Sequence, residues 1–283
     1  MKLALGTVQF GLDYGISNKS GKVPSDKISQ ILEYAKSQGI YTIDTASLYG
    51  TSEEVLGQFD LDDFEVITKT TKIDKTLDRH ENFERFKEAF FASQKKLGYT
   101  QLHGLMFHEA NDLLSAQGLA LWDLVEDFKQ KGYVRKIGVS VYSPEQLEEI
   151  LKIVDIDIVQ FPLNILDQRF LYLLPELKKK NIEIHTRSTF LQGLLLMNIA
   201  DIDPYFDLIK PVLEKLPQNK LETALGFVKN IKEVDKIVVG VTKKIELEQI
   251  SLSYNQSINE IDFSKFAVKD EKFINPVNWR LVK

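Results

Sequence analysis

The stretch KIGVSVYSPEQLEEILK, residues 136–152, contains the unit from which the fold is predicted. It opens with a short apolar run that ends at Ser140, as is typical of a buried strand. A helix is expected to start at Ser143, because Pro144 suits the first helical position and Gln146 completes a capping box with the serine. A strand followed directly by a helix is the repeating part of a β/α fold, and the same pattern recurs along the chain.

Eight short apolar or β-branched runs occur in the sequence, each followed by a segment with helical periodicity. One such segment is SDKISQILEYAKSQG, where Ser25 is expected to cap the helix and Gly39 to end it. The eight predicted strands run from Leu3 to Thr7, Ile40 to Asp44, Phe64 to Lys69, Leu102 to His108, Lys136 to Ser140, Asp157 to Phe161, Ile182 to Thr186 and Lys236 to Gly240.

This alternation predicts an α/β fold with parallel strands joined by right-handed crossovers. Eight units within 283 residues close most economically into a (β/α)8 TIM barrel, and a doubly wound open sheet is the second choice. No linker, charge block or low-complexity tract marks a boundary, so residues 1–283 are predicted to form a single barrel domain. The tail FINPVNWRLVK, residues 273–283, contains a proline and a tryptophan that suggest an ordered cover.

The composition disfavours several classes of function. The formal net charge is -5 and no basic block is present, so no nucleic-acid partner is expected. The chain has no cysteine, which excludes disulfides, thiolate zinc sites and a cysteine nucleophile and fits a cytoplasmic protein. The opening MKLALGTVQFGLDYG is interpreted as a strand and a loop instead of a signal peptide, and no apolar run is long enough to cross a membrane. A monomer or small homo-oligomer is expected.

Polar side chains gather where the predicted strands end. In a (β/α)8 barrel these ends meet at one mouth, where the chemistry takes place. A lone lysine at such a position is usually a solvated charge, and a lone histidine is more often hydrogen-bonded scaffolding than a catalyst. The residues concerned are Asp44 with Tyr49 beyond it, Lys69, His108, Ser140, Gln160 with Asn164, Arg187 with Ser188, and Gly240 with Thr242.

The motifs around these residues resemble those of the aldo-keto reductases. The matching segments are DTASLYGTSEEVLG, VITK, LMFHEA, GVS, VQFPLN, FLQGLLL and VVGVT, and they follow the family's order over nearly the whole chain. No single segment is specific, whereas the ordered set is. The resemblance implies a barrel enzyme that reduces the carbonyl of an aldehyde or ketone to an alcohol with a nicotinamide cofactor.

The resemblance also implies a catalytic group of Asp44, Tyr49, Lys69 and His108. Hydride addition to a carbonyl carbon leaves an oxygen that needs a proton, which Tyr49 would supply. Lys69 would lower the pKa of the phenol, and Asp44 would keep the lysine charged and in place. His108 would direct a hydrogen bond at the carbonyl oxygen.

The cofactor is expected to bind on the barrel itself, because no G-x-G-x-x-G motif follows a strand and no P-loop is present. Side chains near the carboxamide and near the phosphates would hold it, the latter at a helix amino terminus. The expected cofactor-binding residues are Ser140, Gln160, Arg187, Gly240, Thr242 and Lys243.

Three positions depart from the family's pattern. Val141 follows Ser140 where the family commonly has an asparagine, and Arg187 stands where an aromatic ring usually stacks on the nicotinamide. Glu246 stands where many members place a neutral or positive residue facing the ribose phosphate. NADPH is the expected cofactor on the family's habit alone, and Glu246 leaves NADH open.

Two other functions fit the same residues. The first is a regulatory subunit of the same fold that binds nicotinamide without catalysis, which the intact catalytic group argues against. The second is a barrel isomerase or epimerase that uses Tyr49 and Lys69 for proton transfer.

The substrate is expected to be a small carbonyl compound. Arg187, Lys19 and Lys22 lie near the predicted mouth and favour a polar or anionic carbonyl, such as a sugar or a sugar nucleotide. No metal site is expected, because the remaining histidines, at 80, 103 and 185, do not have the spacing of metal ligands.

Overall fold

The computed structural model of the protein describes residues 1–258 and 261–279. Within these residues eight parallel strands pair in chain order, and the last pairs with the first to close a barrel. The predicted (β/α)8 barrel is therefore confirmed. The strands are β1 (Leu3–Gly6), β2 (Thr42–Asp44), β3 (Glu65–Lys69), β4 (Leu102–Phe107), β5 (Val134–Ser140), β6 (Ile158–Pro162), β7 (Glu183–Arg187) and β8 (Lys236–Gly240).

Helices connect the strands and cover the outer face of the barrel. They are α1 (Val8–Gly11), α2 (Ser25–Ser37), α3 (Ser52–Leu56), α4 (Arg79–Leu97), α5 (Ala110–Leu113), α6 (Gly118–Gln130), α7 (Pro144–Ile150), α8 (Leu174–Lys179), α9 (Lys210–Glu214), α10 (Lys220–Lys229), α11 (Lys244–Asn255) and α12 (Glu271–Ile274). Short 3-10 helices occupy Leu171–Leu173, Leu191–Leu196, Ile199–Asp201, Pro204–Phe206, Phe263–Phe266 and Pro276–Asn278.

The helix ends test the sequence signals directly. The predicted capping box of α7 is present, since Ser143 Oγ accepts from the Gln146 amide and the Gln146 side chain accepts from the Ser143 amide. The cap predicted at Ser25 is wrong, because α2 already begins at Ser25, and Pro24, which precedes it, makes no side-chain cap. Gly39 follows the helix with φ +72 and ends it as predicted.

The register of the strands decides which side chains enter the barrel. Asp44 pairs with Gly6 on β1 and with Ile67 on β3, and Ser140 on β5 pairs with Gln160 on β6. Side chains alternate between the inside and the outside of the barrel along each strand, and paired residues on neighbouring strands point to the same side. Since all eight strands are parallel, the polar residues at their carboxyl ends lie around one shared mouth.

The opposite, amino-terminal end of the barrel carries charged side chains. Glu183 on β7 forms an ion pair with Lys136 on β5. A carboxylate oxygen of Glu183 also lies 2.6 Å from Nε2 of the His185 ring. Lys236 lies 3.9 Å from a carboxylate oxygen of Glu65. Ile67, Met106 and Ile158 form a fully buried apolar cluster. A dry layer of this kind would separate that charged end from the mouth.

The described part of the tail packs against the barrel. Phe273 and Ile274 on α12 are buried, and Trp279 donates from its indole nitrogen to the Phe273 carbonyl at 3.2 Å. The Trp279 ring also meets the Phe206 ring edge-on, with centroids 5.0 Å apart. These contacts agree with an ordered cover, while residues 280–283 of the predicted tail lie outside the described residues. No helix in the described ranges is both long and apolar enough to span a membrane.

Candidate active site

The centre of the mouth is an ion pair between the last residues of β2 and β3. Lys69 Nζ lies 2.8 Å from each carboxylate oxygen of Asp44, and it also donates to the Thr45 carbonyl at 3.0 Å. Both side chains are almost completely buried, with 1% and 4% of their surfaces exposed. Gln160 on β6 donates to the same carboxylate at 2.8 Å. The pair is therefore fixed from three strands.

Tyr49 reaches this pair from the loop after β2. Its phenol oxygen lies 3.4 Å from Lys69 Nζ, and the ammonium sits 5.0 Å from the centre of the phenol ring. The loop can adopt this path because Gly11 packs against it, where a Cβ atom would fall 1.7 Å from the Tyr49 carbonyl oxygen. The acid, the ammonium and the phenol predicted from the sequence are thus brought together.

The expected effect of Lys69 on the phenol is not found. Burial raises the pKa of Tyr49 well above its usual value, and the Asp44 carboxylate raises it further. Burial also lowers the pKa of Lys69, against the attraction of Asp44. The pKa of Tyr49 is therefore raised instead of lowered as expected, mainly because the phenol is buried and also because the Asp44 carboxylate lies near it.

His108 completes the group just beyond β4. Its ring meets the Tyr49 ring edge-on, with centroids 5.6 Å apart. Burial, helped by the positive charges of Lys69 and Lys72, lowers the pKa of His108 to about 3. Its Nδ1 atom is buried and has no hydrogen-bond partner among the described residues. The imidazole is therefore neutral at physiological pH and has a polar atom that remains available.

An open cleft of about 610 Å³ leads away from this group across the mouth. This volume lies within the usual range for small-molecule sites. All six residues predicted to bind the cofactor line the cleft, together with Tyr49 and His108. The six are Ser140, Gln160, Arg187, Gly240, Thr242 and Lys243.

Arg187 has a defined place on one wall of the cleft. Its guanidinium carbon lies 4.0 Å from the centre of the Tyr142 ring, and Nη2 donates to the Val141 carbonyl at 3.0 Å. Val141, the departure noted after Ser140, is buried and contributes its backbone instead of a side chain. Arg187 and Tyr142 thus form a flat cationic wall.

The cleft also reaches the start of α11, where Thr242, Lys243 and Glu246 line it. The Glu246 carboxylate accepts from the Thr242 amide at 2.6 Å and from the Thr242 hydroxyl at 3.0 Å. Lys243 lines the same end and is exposed, whereas Lys244 pairs with Glu248 at 3.2 Å. One carboxylate is therefore held at this end by two hydrogen bonds.

Several cleft residues could not be identified from the sequence. Gln9 and Tyr14 follow β1 and line the cleft, and Gln9 Oε1 is buried without a hydrogen-bond partner among the described residues. Burial raises the pKa of Tyr14 to about 12. For Tyr14 the only signal in the sequence was its place in the glycine-rich stretch GLDYGISNKSGKVP, residues 11–24. Of the two lysines expected near the mouth, Lys19 lines the cleft, whereas Lys22 bonds to the Thr51 hydroxyl outside it.

The other histidines fit a structural role. His185 contacts Glu183, and His103 lies 3.6 Å from a carboxylate oxygen of Glu65. His80 lies in the first turn of α4, on the surface. Within residues 1–258 and 261–279, no group of three or more potential ligands could hold a metal ion.

Comparison with known proteins agrees with the architecture. The sequence matches the model of the Aldo/keto reductase family over residues 2–268. The chain belongs to the aldo/keto reductase family.

Two curated relatives illustrate the range of similarity. The chain is 27% identical over 176 residues to the aldo-keto reductase YhdN of Bacillus subtilis (strain 168), an alignment that covers 59% of this chain and 53% of that protein. It is 33% identical over 141 residues to the chloroplastic pyridoxal reductase of Arabidopsis thaliana, covering 44% of this chain and 38% of the relative. The matched segments thus span about half or less of these relatives.

Solved structures share the fold over nearly the full length. The holo form of the aldo-keto reductase AKR11C1 from Bacillus halodurans superposes with a TM-score of 0.75 at 19% identity, covering 95% of this chain and 93% of that chain. The glycerol dehydrogenase AKR11B4 from Gluconobacter oxydans gives a TM-score of 0.69 at 22% identity, covering 93% and 89%. At such identities the likeness supports the fold alone.

Proposed function

We propose that the protein is an NAD(P)H-dependent oxidoreductase that reduces the carbonyl of a small aldehyde or ketone to an alcohol. The observation that carries the proposal is the convergence of Asp44, Tyr49, Lys69 and His108 at one end of an open cleft. A phenol within reach of a buried ammonium and a neutral imidazole is suited to deliver a proton to a newly formed oxyanion.

The cleft residues fit a nicotinamide dinucleotide. Gln9 Oε1 is a buried acceptor without a partner among the described residues, and a ribose hydroxyl could donate to it. The Ser140 hydroxyl and the free oxygen of the Gln160 amide could hold a carboxamide, since the Gln160 nitrogen is engaged by Asp44. The bound cofactor would supply the hydride. NADPH is the choice that the resemblance favours.

Tyr49 would act as the proton donor. Because burial raises its pKa, the phenol keeps its proton at neutral pH and has one to give. An alkoxide is a stronger base than a phenolate, so transfer from the phenol to the reduced oxygen is favourable. Lys69, 3.4 Å away, would then stabilise the phenolate that remains.

His108 would orient the carbonyl. A neutral imidazole offers one N–H donor and one acceptor, and its pKa of about 3 keeps it in this form during the reaction. A hydrogen bond from its N–H would hold the carbonyl oxygen beside the phenol and stabilise the charge that develops there. Hydride to the carbon and a proton to the oxygen complete the alcohol.

The cationic wall favours a polar or anionic substrate, such as a sugar or a sugar nucleotide carrying the carbonyl. Arg187 brings a planar guanidinium to the lining of the cleft, and Lys19, in the loop between α1 and α2, lines the same cleft. Planar guanidinium groups suit carboxylates and phosphates. Arg187→Ala should raise the Michaelis constants of anionic carbonyls more than those of neutral ones, and equal constants for both would remove the anion contact from the proposal.

The decisive experiment compares Tyr49→Phe with native protein in single-turnover hydride transfer, using a panel of small aldehydes, ketones and aldoses. Tyr41→Phe, which removes an equivalent but exposed phenol, is the matched control. Cofactor affinity should be unchanged in both variants. Transfer should fall at least roughly hundredfold in Tyr49→Phe only, as is typical of lost general-acid catalysis.

Other outcomes would favour the alternatives. Near-normal transfer in Tyr49→Phe would contradict the role of the phenol. Conversion of a substrate without net oxidation of the cofactor would favour an isomerase or epimerase. Tight cofactor binding without turnover of any carbonyl would favour a regulatory nicotinamide-binding protein.

A further inference from the structure

Two chemically different groups of residues line the cleft. Asp44, Tyr49 and His108 form one group, and Thr242, Lys243 and Glu246 around the start of α11 form the other. If the reacting ring of the cofactor is placed beside Tyr49, as the proposed function requires, the start of α11 is a place in the same cleft where the adenosine ribose can bind. The inference below rests on that proposed function.

The start of α11 already carries an anion of its own. A helix amino terminus with free N–H groups ordinarily attracts phosphate. Here the Glu246 carboxylate accepts from both the Thr242 amide and the Thr242 hydroxyl, at 2.6 and 3.0 Å. Glu246 is the third residue of α11, so this contact joins the first turn of the helix to the residue before its N-cap. The Thr242 amide and hydroxyl, two donors that a ribose phosphate could use, are therefore occupied.

The nearby lysines do not cancel this charge. Lys244 is committed to Glu248 at 3.2 Å and lies 5.7 Å from the centre of the Tyr34 ring. Lys243 is exposed, so its attraction for a phosphate is screened by solvent. Glu246 is half-buried and fixed by two hydrogen bonds. The fixed carboxylate outweighs the exposed ammonium.

A carboxylate at this place distinguishes two forms of the ribose. A free 2′-hydroxyl can donate a hydrogen bond to the carboxylate, as acidic residues do in other dinucleotide sites. A 2′-phosphate has only acceptor oxygens and negative charge, so it would meet repulsion. We infer that Glu246 makes the protein select NADH over NADPH.

The test measures equilibrium dissociation constants of NADH and NADPH by fluorescence for native protein, Glu246→Gln and Glu248→Gln. Glu248→Gln is the matched control, since it removes the same charge from the same helix outside the cleft lining. Native protein should bind NADH at least roughly tenfold more tightly, the scale expected of one like-charge contact in a partly exposed site. The preference should collapse in Glu246→Gln and persist in Glu248→Gln.

A further variant separates the charge of Glu246 from its contact with Thr242. Glu246→Asp keeps a carboxylate and should keep the preference for NADH even if the shorter side chain weakens the start of α11. Equal or tighter binding of NADPH by native protein would overturn the inference while leaving the proposed reductase intact. An equal loss of preference in Glu248→Gln would also overturn it, by showing that the general charge of the helix is responsible. Failure to bind either cofactor would overturn both proposals.

Discussion

Removing Lys69 should destabilise the protein far more than removing a surface lysine. In Lys69→Met, the Asp44 carboxylate loses both 2.8 Å contacts with the ammonium and keeps the single hydrogen bond from Gln160. Only 4% of the Asp44 side-chain surface is exposed, so water cannot replace the lost partner. Breaking a buried ion pair on one side costs about 3–5 kcal/mol. For a domain of this size the melting temperature should fall by about 6–20 °C.

The assay is equilibrium unfolding in urea at neutral pH, followed by circular dichroism and tryptophan fluorescence. Coincident transitions from both signals are needed for a free energy of unfolding. The control is Lys96→Met, which breaks an ion pair with Glu54 at 2.9 Å where both side chains are exposed by more than a third. That change should cost less than about 1 kcal/mol.

A double variant tests the pairing itself. Asp44→Asn combined with Lys69→Met removes both charges, so it should recover part of the loss and give a coupling of about 2–3 kcal/mol. A cost below about 1 kcal/mol for Lys69→Met, no larger than that of the Lys96→Met control, would refute the reasoning from burial. Independent, additive effects of the two single changes would show that the side chains do not stabilise each other.

Three further predictions follow from contacts and pKa shifts. Gly11→Ala should displace the Tyr49 loop and lower both the rate of hydride transfer and the melting temperature, because the added Cβ would lie 1.7 Å from the Tyr49 carbonyl oxygen. The control is Gly21→Ala, where an added Cβ has no neighbour within 4 Å, so it should cost only about 1–2 kcal/mol of backbone strain. The depressed pKa of His108, about 3 against 6.5, makes native stability fall as pH drops from about 6.5 to 3, and urea titrations of His108→Gln should show a shallower slope there. Hydrogen bonds from His185 and Lys136 outweigh burial and hold the pKa of Glu183 at about 2. The contribution of Glu183 to stability is therefore present above about pH 4.5 and lost toward pH 2, so Glu183→Gln should lower the free energy of unfolding at pH 6 but change it little at pH 2.

The barrel was predictable because its signal is repeated. Each strand is a short apolar run beside an amphipathic helix, so an error at one boundary leaves the alternation intact. β2 begins at Thr42 instead of Ile40 because the Ile40 amide bonds to the Ala35 carbonyl in the turn that ends α2. The cap predicted at Ser25 is absent for a similar local reason, since Pro24 already has the extended backbone of an N-cap and Ser25 becomes the first helical residue. Neither shift changes which strands are neighbours.

The closeness of two members of the candidate catalytic group was predictable for a geometric reason, whereas the role of each member came from the resemblance to the family. Parallel strands bring their last residues to one mouth, so Asp44 and Lys69 had to be close once β2 and β3 were recognised as neighbours. The sign of the Tyr49 pKa shift was not predictable, because it depends on how deeply the phenol is buried and on how close the Asp44 carboxylate lies to it. Residues in loops, such as Tyr14 and Tyr142, have no periodicity from which a position could be inferred.

Cofactor selection shows how far charge counting along a sequence can go. The segment from Lys243 to Glu246 contains two lysines and one glutamate, which taken as a sum would favour an extra phosphate. In the structure the three charges are not equivalent, because Lys244 forms an ion pair with Glu248, whereas the Glu246 carboxylate accepts a hydrogen bond from the Thr242 amide beside the cleft. A charge acts on a ligand only where it is held and where water does not screen it. The half-buried Glu246 carboxylate therefore has more influence than the two exposed lysines on the charge that a ligand meets in this part of the cleft.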